Sequence, residues 1–160
     1  MKSTNPGATK LIAVVGVSCA ALLLNCVPTF EGTVLRGYKD PIGIVTACSG
    51  HTGSVVLGKP YTRAECDKFL VDDLTTHAEA IKKCLTNVPT TYQLASFVSF
   101  GYNVGTSAFC HSRIAKKFNA GDIAGACVEM SKWVYAGKEK LPGLVNRRKI
   151  ERAMCEGKIQ

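Results

Sequence analysis

Near the N-terminus, a run of 17 residues from Leu11 to Val27 carries no charged side chain. As an α-helix it would be about 25 Å long, somewhat shorter than the roughly 30 Å hydrocarbon core of a bilayer. Gly16, Ser18 and Asn25 dilute its leucines and valines, and two lysines precede it. Because basic flanks stay in the cytoplasm, the run predicts a weak single-pass anchor over residues 1–28, with its N-terminus inside.

The residues that follow the run disfavour removal of this segment by a signal peptidase. Asn25 and Cys26 lead directly into Pro28, whereas cleavage sites carry small residues in an A-x-A-like pattern. Only three residues separate the run from Glu31, so cleavage near residue 26 would leave almost no chain ahead of that carboxylate. An uncleaved anchor is therefore the favoured interpretation, and an ordinary cleaved signal peptide is the alternative.

Eight cysteines are many for 160 residues. They form no C-x-x-C pair and no His/Cys cluster with zinc-ligand spacing, so we expect neither a metal site nor any other cofactor. A disulfide framework is favoured, which requires an oxidising compartment outside the cytoplasm, and scattered free thiols are the alternative. Cys84 and Cys110 flank a predicted helix whose ends they could bridge. Cys127 and Cys155 fall on the last two predicted helices, which should pack together.

The formal net charge is +8, from 20 basic and 12 acidic residues. A basic surface favours an anionic polymer such as nucleic acid, lipid headgroups or cell wall. Because the chain has no basic-aromatic nucleic-acid motif, the wall or the membrane is the preferred partner and nucleic acid is not expected. A generic solubility charge is the alternative.

Residues 29–160 predict one α+β domain, with a small antiparallel sheet lobe followed by a mostly helical lobe. Short β-like segments broken by Gly and Pro, between Thr33 and Tyr61, predict two or three strands, including residues 53–58. A capping box from Thr62 to Glu65 starts a helix expected to reach about Lys83. Further helices are expected near 90–105, 112–118, 122–135 and 144–155.

Glu31, Asp40 and Thr46 place two carboxylates and a hydroxyl in one short segment. The two acids are too far apart to be neighbours on a helix, and the glycines and the proline near Asp40 indicate that the chain turns back. Glycoside hydrolysis needs one carboxyl group that protonates the leaving oxygen and a second that handles water or the sugar carbon. A hairpin would bring the three side chains to one cleft, although acids at this spacing are also common as solvated surface charges.

The segments around these residues resemble the catalytic region of the phage-type lysozymes, glycoside hydrolase family 24. The resemblance rests on FEG, GYKD, GIVT and SGHTG, with Glu, eight residues, Asp, five residues and Thr at the family spacing. It continues nearly to the C-terminus, and the first thirty residues resemble the signal-arrest-release branch of these endolysins. The resemblance implies a phage-lysozyme-like fold behind a signal-anchor helix, and hydrolysis of the β-1,4 bond between N-acetylmuramic acid and N-acetylglucosamine in peptidoglycan.

The same resemblance assigns roles to individual residues. It implies that Glu31 is the general acid and that Asp40 and Thr46 hold the attacking water of an inverting reaction. Arg147, in the segment GLVNRR, corresponds to an arginine that pairs with the catalytic glutamate; a solvated basic face is the alternative. His51 would form a structural ion pair with an acid that aligns with Asp73, although a histidine can also act as a base near neutral pH.

Two further residues have two interpretations each. Asn103, in the segment YNVG, either lines the sugar cleft or caps its helix. Trp133 is expected in the core rather than as a platform for a sugar ring.

Three cysteines are candidates for regulatory thiols. Cys48 lies two residues beyond Thr46, so any bridge that it makes touches the expected active site. Cys19 and Cys26 are about 10 Å apart along a helix, too far to bridge each other while helical. Pairing of either one with Cys48 after release from the membrane would lock an active form.

Together these observations predict an endolysin that lyses the host and frees the phage. The expected partners are peptidoglycan and, before release, the host inner membrane, and the expected state is a monomer. The catalytic domain would lie in the periplasm and stay inactive until the anchor leaves the bilayer. The alternatives are a membrane-perturbing protein of holin type and a non-catalytic, disulfide-rich module that binds the wall.

Overall fold

The computed structural model describes residues 6–159, except for the side chain of Pro6. Within that range eight α-helices accompany two small antiparallel sheets, each of two strands. The elements are α1 (Thr9–Val15), α2 (Val17–Glu31), β1 (Val34–Lys39), β2 (Val45–Cys48), α3 (Arg63–Cys84), α4 (Thr91–Val104), α5 (Thr106–Cys110), α6 (Arg113–Asn119), α7 (Ile123–Glu129), β3 (Tyr135–Ala136), β4 (Glu139–Lys140) and α8 (Pro142–Cys155). The α+β class expected from the sequence is therefore correct.

The N-terminal apolar run forms two helices instead of one. Gly16 lies between α1 and α2 with φ +84°, a value that glycine adopts at little cost, and the two helices are bent by 117°. Leu11, Leu23 and Val27 are fully buried in the main hydrophobic core. No helix in the described part of the chain is long and apolar enough to cross a membrane alone, although the bent pair has the length and composition together. The expected single signal-anchor helix is thus not present in this folded state.

The second of these helices carries the first candidate catalytic residue. α2 continues through Pro28 and ends at Glu31, so the expected boundary between residues 28 and 29 falls inside a helix. Glu31 is therefore placed at the C-terminal end of this helix.

α4 is the central helix of the molecule. Residues 94–101 are all buried, and α2, α3 and α8 pack against them. At Gly101 a β-carbon would come within 2.4 Å of Ile81 Cδ1, so a larger residue there would require the Ile81 side chain of α3 to shift. Both helices begin at capping boxes, Thr62 with Glu65 and Thr90 with Gln93, where the sequence places their starts.

The sheet lobe has two strands, the lower of the two numbers that the sequence predicts. β1 and β2 pair antiparallel, with Tyr38 opposite Thr46 and an irregularity before Tyr38. Residues 53–58 form no strand, because Gly53 and Gly58 take φ values of +88° and +79° that turn the chain away from a regular pleat. A single bridge joins Arg36 to Pro60 instead.

The helix expected over 122–135 ends early. α7 stops at Glu129, and a 3₁₀ turn over Met130–Lys132 leads into a hairpin of β3 and β4. Gly137 turns this hairpin with φ +60°. The early end leaves the carbonyl of Trp133 free of helical bonding, so that it accepts a hydrogen bond from Arg148 Nε at 2.9 Å.

Three disulfides cross-link elements of the fold. The expected pairs Cys84–Cys110 and Cys127–Cys155 are both present, and they join α3 to α5 and α7 to α8.

The third disulfide joins Cys48 to Cys66, whose α-carbons are 5.0 Å apart, and ties β2 to α3. The sequence leaves the partner of Cys48 open, and the suggested pairing with Cys19 or Cys26 is not formed in this state. Both of those residues remain thiols on α2, where Cys19 is buried and Cys26 half-buried.

Candidate active site

Glu31 is held at the C-terminal end of α2 by a single arginine. Its side chain is 22% exposed, and its Oε1 accepts a hydrogen bond from Arg147 Nη1 at 2.5 Å. The next residue, Gly32, leaves the helix with φ +70°. The helix end therefore brings the carboxyl group to the surface while the arginine fixes its direction.

Arg147 is itself fixed on all sides. Its Nε donates to Glu151 Oε1 at 2.9 Å, and its Nη2 donates to the backbone carbonyl of Ser99 at 2.8 Å. The guanidinium also lies over the ring of Phe30, 4.7 Å from the ring centre. Because every donor group has a partner, this buried cation has one orientation.

A second arginine extends the network to Asn103. Arg148 donates from Nη1 to Glu151 Oε2 at 2.6 Å and from Nη2 to Asn103 Oδ1. Burial lowers the pKa of Arg148, and the carboxylate of Glu151 opposes that shift. Arg147 and Arg148 thus belong to a buried ion network and not to a solvated basic face.

Glu31 and Asn103 line a common cleft of about 680 Å³. Arg147 lines it as well, together with other residues of α8 such as Pro142, Asn146 and Ile150. Since Oδ1 of Asn103 is bonded to Arg148, its amide nitrogen is the group left to bind a ligand. The cleft thus offers both a carboxyl group and an amide donor, which suits a sugar.

Asp40 and Thr46 lie on the β1–β2 hairpin and do not line this 680 Å³ cleft. Asp40 Oδ1 accepts the N–H groups of Ile42 and Ile44 at 3.0 and 2.8 Å, which fixes the carboxylate at the hairpin turn. Thr46 is 6% exposed, and its hydroxyl donates to the carbonyl of Ile44 at 3.1 Å. The structure therefore unites Glu31 with Arg147 and Asn103 in one cleft, and Asp40 with Thr46 on one hairpin.

The turn after β2 brings that hairpin against Glu31. A β-carbon added at Gly50 would lie 3.6 Å from Glu31 Oε2, and the hydroxyl of Tyr102 donates to the carbonyl of Ser49 at 2.6 Å. Burial, with added repulsion from Asp73 and Glu31, raises the pKa of Tyr102, so this hydroxyl keeps its proton for the bond. The sheet lobe is thereby fixed beside the helix that presents the acid.

His51 uses both of its ring nitrogens. Nδ1 lies 2.7 Å from Asp73 Oδ2 and Nε2 lies 2.8 Å from Ser54 Oγ, while the ring stacks on Phe69 with centres 4.0 Å apart. A ring with both nitrogens engaged has no free nitrogen to act as a base. This geometry favours the structural interpretation of the pair.

Asp73→Asn tests that interpretation. We expect the free energy of unfolding to fall by about 1–2 kcal/mol, because the charge-assisted bond to His51 is lost. The melting temperature should drop by several degrees while kcat stays within about threefold of wild type. Thermal unfolding and initial rates on the same preparation measure both; a hundredfold loss of kcat with unchanged stability would instead make His51 a base.

Comparison with known proteins identifies the family. The family model described as phage lysozyme matches residues 28–151. The chain belongs to the phage lysozyme family. This phage lysozyme is 44% identical over 127 residues to a SAR-endolysin of Enterobacteria phage PA-2, an alignment that covers 78% of this chain and 76% of that one. It is therefore a glycoside hydrolase of the lysozyme type.

Solved structures share the fold of this phage lysozyme. The muramidase domain of SpmX from Asticaccaulis excentricus aligns with a TM-score of 0.77 at 28% identity, covering 82% of this chain and 92% of that one. A mutant of P22 lysozyme aligns with a TM-score of 0.74 at 29% identity, covering 82% and 93%.

Sequence reasoning misses the buried half of the site. Glu151 lies three and four residues after the two arginines, a spacing that puts it on their face of a helix and that would have suggested ion pairs. Ser99 and Tyr102 carry no comparable signal in a single sequence. Trp133 packs edge-on against Phe100 with ring centres 5.3 Å apart, as the core interpretation expects. Among residues 6–159, no cluster of three or more His, Cys, Asp and Glu side chains has a metal-binding arrangement.

Proposed function

We propose that this lysozyme is an endolysin that cleaves the bond between N-acetylmuramic acid and N-acetylglucosamine in host peptidoglycan. The observation that carries the proposal is Glu31, held by Arg147 in a cleft that it shares with Asn103. A partly exposed carboxyl group fixed at a cleft wall can reach the leaving oxygen, which is the geometric requirement for a general acid. A holin has no need of such a site, and neither has a non-catalytic wall-binding module.

The reaction needs a proton donor and an activated water on opposite sides of the sugar. Glu31 protonates the leaving glycosidic oxygen as the bond to the anomeric carbon breaks. Asp40 accepts a proton from the attacking water, and the hydroxyl of Thr46 orients that water. The product then has inverted configuration at the anomeric carbon. The backbone bonds that hold Asp40 Oδ1 leave Oδ2 as the oxygen for this water.

We also propose that the enzyme is made inactive in the inner membrane and becomes active in the periplasm. SAR-endolysin relatives support this order of events. The same residues that would lie in the bilayer, among them Leu11 and Val27, fill the core behind Glu31 in the folded enzyme. The cleft is incomplete while those side chains are in lipid, and the three disulfides suit the oxidising periplasm.

Product analysis tests the reaction. Purified enzyme should clear peptidoglycan in a zymogram, and borohydride reduction of its products should convert muramic acid, and not glucosamine, to the alcohol. NMR of the fresh products should show the α-anomer first, because inversion of a β-linkage gives it. New glucosamine ends would contradict the proposed bond, and an initial β-anomer would contradict the water mechanism.

A further inference from the structure

Glu151 is a buried carboxylate for which the proposed reaction has no use. Its side chain is fully buried on α8, and it accepts hydrogen bonds from Arg147, Arg148 and Ser99 Oγ at 2.9, 2.6 and 2.8 Å. Taking such a charge out of water costs several kcal/mol, and apolar replacements of buried ion networks are often neutral or stabilising. Stability alone therefore does not account for this acid.

Through its two arginines, Glu151 reaches both polar side chains of the cleft. One branch runs from Glu151 through Arg147 to Glu31, and the other runs through Arg148 to Asn103. Within residues 6–159 no carboxylate besides Glu151 and Glu31 forms an ion pair with either arginine, and only Glu151 pairs with both. The same carboxylate thus fixes the orientation of both arginines. Each arginine in turn fixes the orientation of one side chain that faces the substrate.

We propose that Glu151 is a positioning residue that aligns the acid and the substrate amide together. This proposal rests on the proposed function of Glu31 and extends it to the substrate. Asn103, whose oxygen is bonded to Arg148, presents its N–H to an acceptor oxygen of the glycan, such as an acetamido carbonyl. Loss of Glu151 would let both arginines reorient, and the two groups would lose their common alignment.

Glu151 also balances charge around the proton donor. Two arginines face two carboxylates, so with Glu31 protonated the network carries one net positive charge. Without Glu151 it would carry two, and both would favour loss of the proton from Glu31. Among the described residues, titratable groups that interact with this network include Cys26 from α2, Tyr102 from α4 and, through Tyr102, Asp73 from α3.

Glu151→Gln tests the proposal on soluble peptidoglycan fragments. We expect kcat to fall roughly 10–100-fold through misalignment, with KM within about threefold of wild type. The basic limb of the pH profile of kcat should move to lower pH by about half a unit or more, because Glu31 now loses its proton more readily. A purely structural role would lower the melting temperature and leave this limb in place.

Glu129→Gln is the matched control. Glu129 is also buried and pairs with Arg113, Lys117 and Lys132, but it lies outside the network. We expect it to lose stability without any shift of the limb. A folded Glu151→Gln whose limb coincides with that of wild type and of this control would overturn the charge-balancing role.

Variants that keep the negative charge separate the aligning role of Glu151 from its charge-balancing role. They also test the aligning role if Glu151→Gln does not fold. Glu151→Asp and Ser99→Ala keep the charge but loosen the contacts, so kcat should fall while the limb stays in place. Wild-type kcat in both would overturn the alignment role. Glu31→Gln keeps this comparison independent of the proposed function: an active Glu31→Gln rejects the acid itself, whereas an inactive one leaves the test of Glu151 intact.

Discussion

Glu31→Gln should abolish hydrolysis of peptidoglycan while leaving the fold unchanged. Glutamine keeps a side-chain oxygen that can accept the bond from Arg147, but it has no proton to give to the leaving oxygen. General acid catalysis contributes about 10²–10⁴-fold, so the variant should retain at most a per cent or so of wild-type kcat. Initial rates of turbidity loss with purified walls measure this directly.

Two comparisons make that result specific. The circular dichroism of Glu31→Gln should match that of wild type, and its melting temperature should fall by no more than several degrees, since glutamine still accepts the bond from Arg147 although that bond is no longer between two charges. Glu79→Gln, an exposed exchange of the same type on α3, should keep full activity. More than a few per cent of wild-type activity in a folded Glu31→Gln would show that another group donates the proton.

Ser18→Leu/Asn25→Leu should trap the enzyme in the inner membrane and block or greatly delay lysis. Both positions are exposed in the folded enzyme, so leucine there does not disturb the core. In the bilayer the same leucines favour the inserted state, because leucine is among the residues that insert most readily. Gly16 is omitted, since its φ of +84° would strain a leucine in the folded state.

The measurements are the optical density of an induced culture and the distribution of protein between membrane and soluble fractions. Thr76→Leu/Val88→Leu, which adds leucine at exposed positions outside the apolar run, should lyse on the wild-type schedule. The trapped variant, extracted in detergent and refolded, should hydrolyse walls at the wild-type rate. Lysis on schedule by Ser18→Leu/Asn25→Leu would make a cleaved signal peptide the better account.

The sequence predicts the parts of this enzyme that local rules govern. The capping box at Thr62 locates the start of α3, the helix expected from residue 90 matches α4, and the apolar run marks the region of α1 and α2. Where tertiary contacts decide, the sequence fails. The sequence predicts a helix that includes Trp133, yet the carbonyl of this residue accepts a hydrogen bond from Arg148 on α8, which lies later in the chain.

The candidate site divides in the same way. The spacing of Glu31 and Asp40 is visible in the sequence, together with the family resemblance. The disulfide partner of Cys48 is not visible in the sequence, because this disulfide depends on how β2 packs on α3. Single-sequence reasoning likewise gives no reason to connect Ser99 to Glu151, which is 52 residues away and joined only by the packing of α4 on α8.

In the proposed release from the membrane, the bend at Gly16 has a consequence for the timing of lysis. Leu11, Leu23 and Val27 have two apolar environments available, the bilayer and the protein core, and each fully buried side chain favours either one over water by about 1.5–3 kcal/mol. On leaving the membrane, these side chains move from the bilayer to a protein core of similar apolarity. The free energy of folding of the domain then decides which of the two states is favoured. A substitution deep in the helical lobe that weakens the fold would therefore lengthen the wait before lysis, although it touches neither the bilayer nor the cleft.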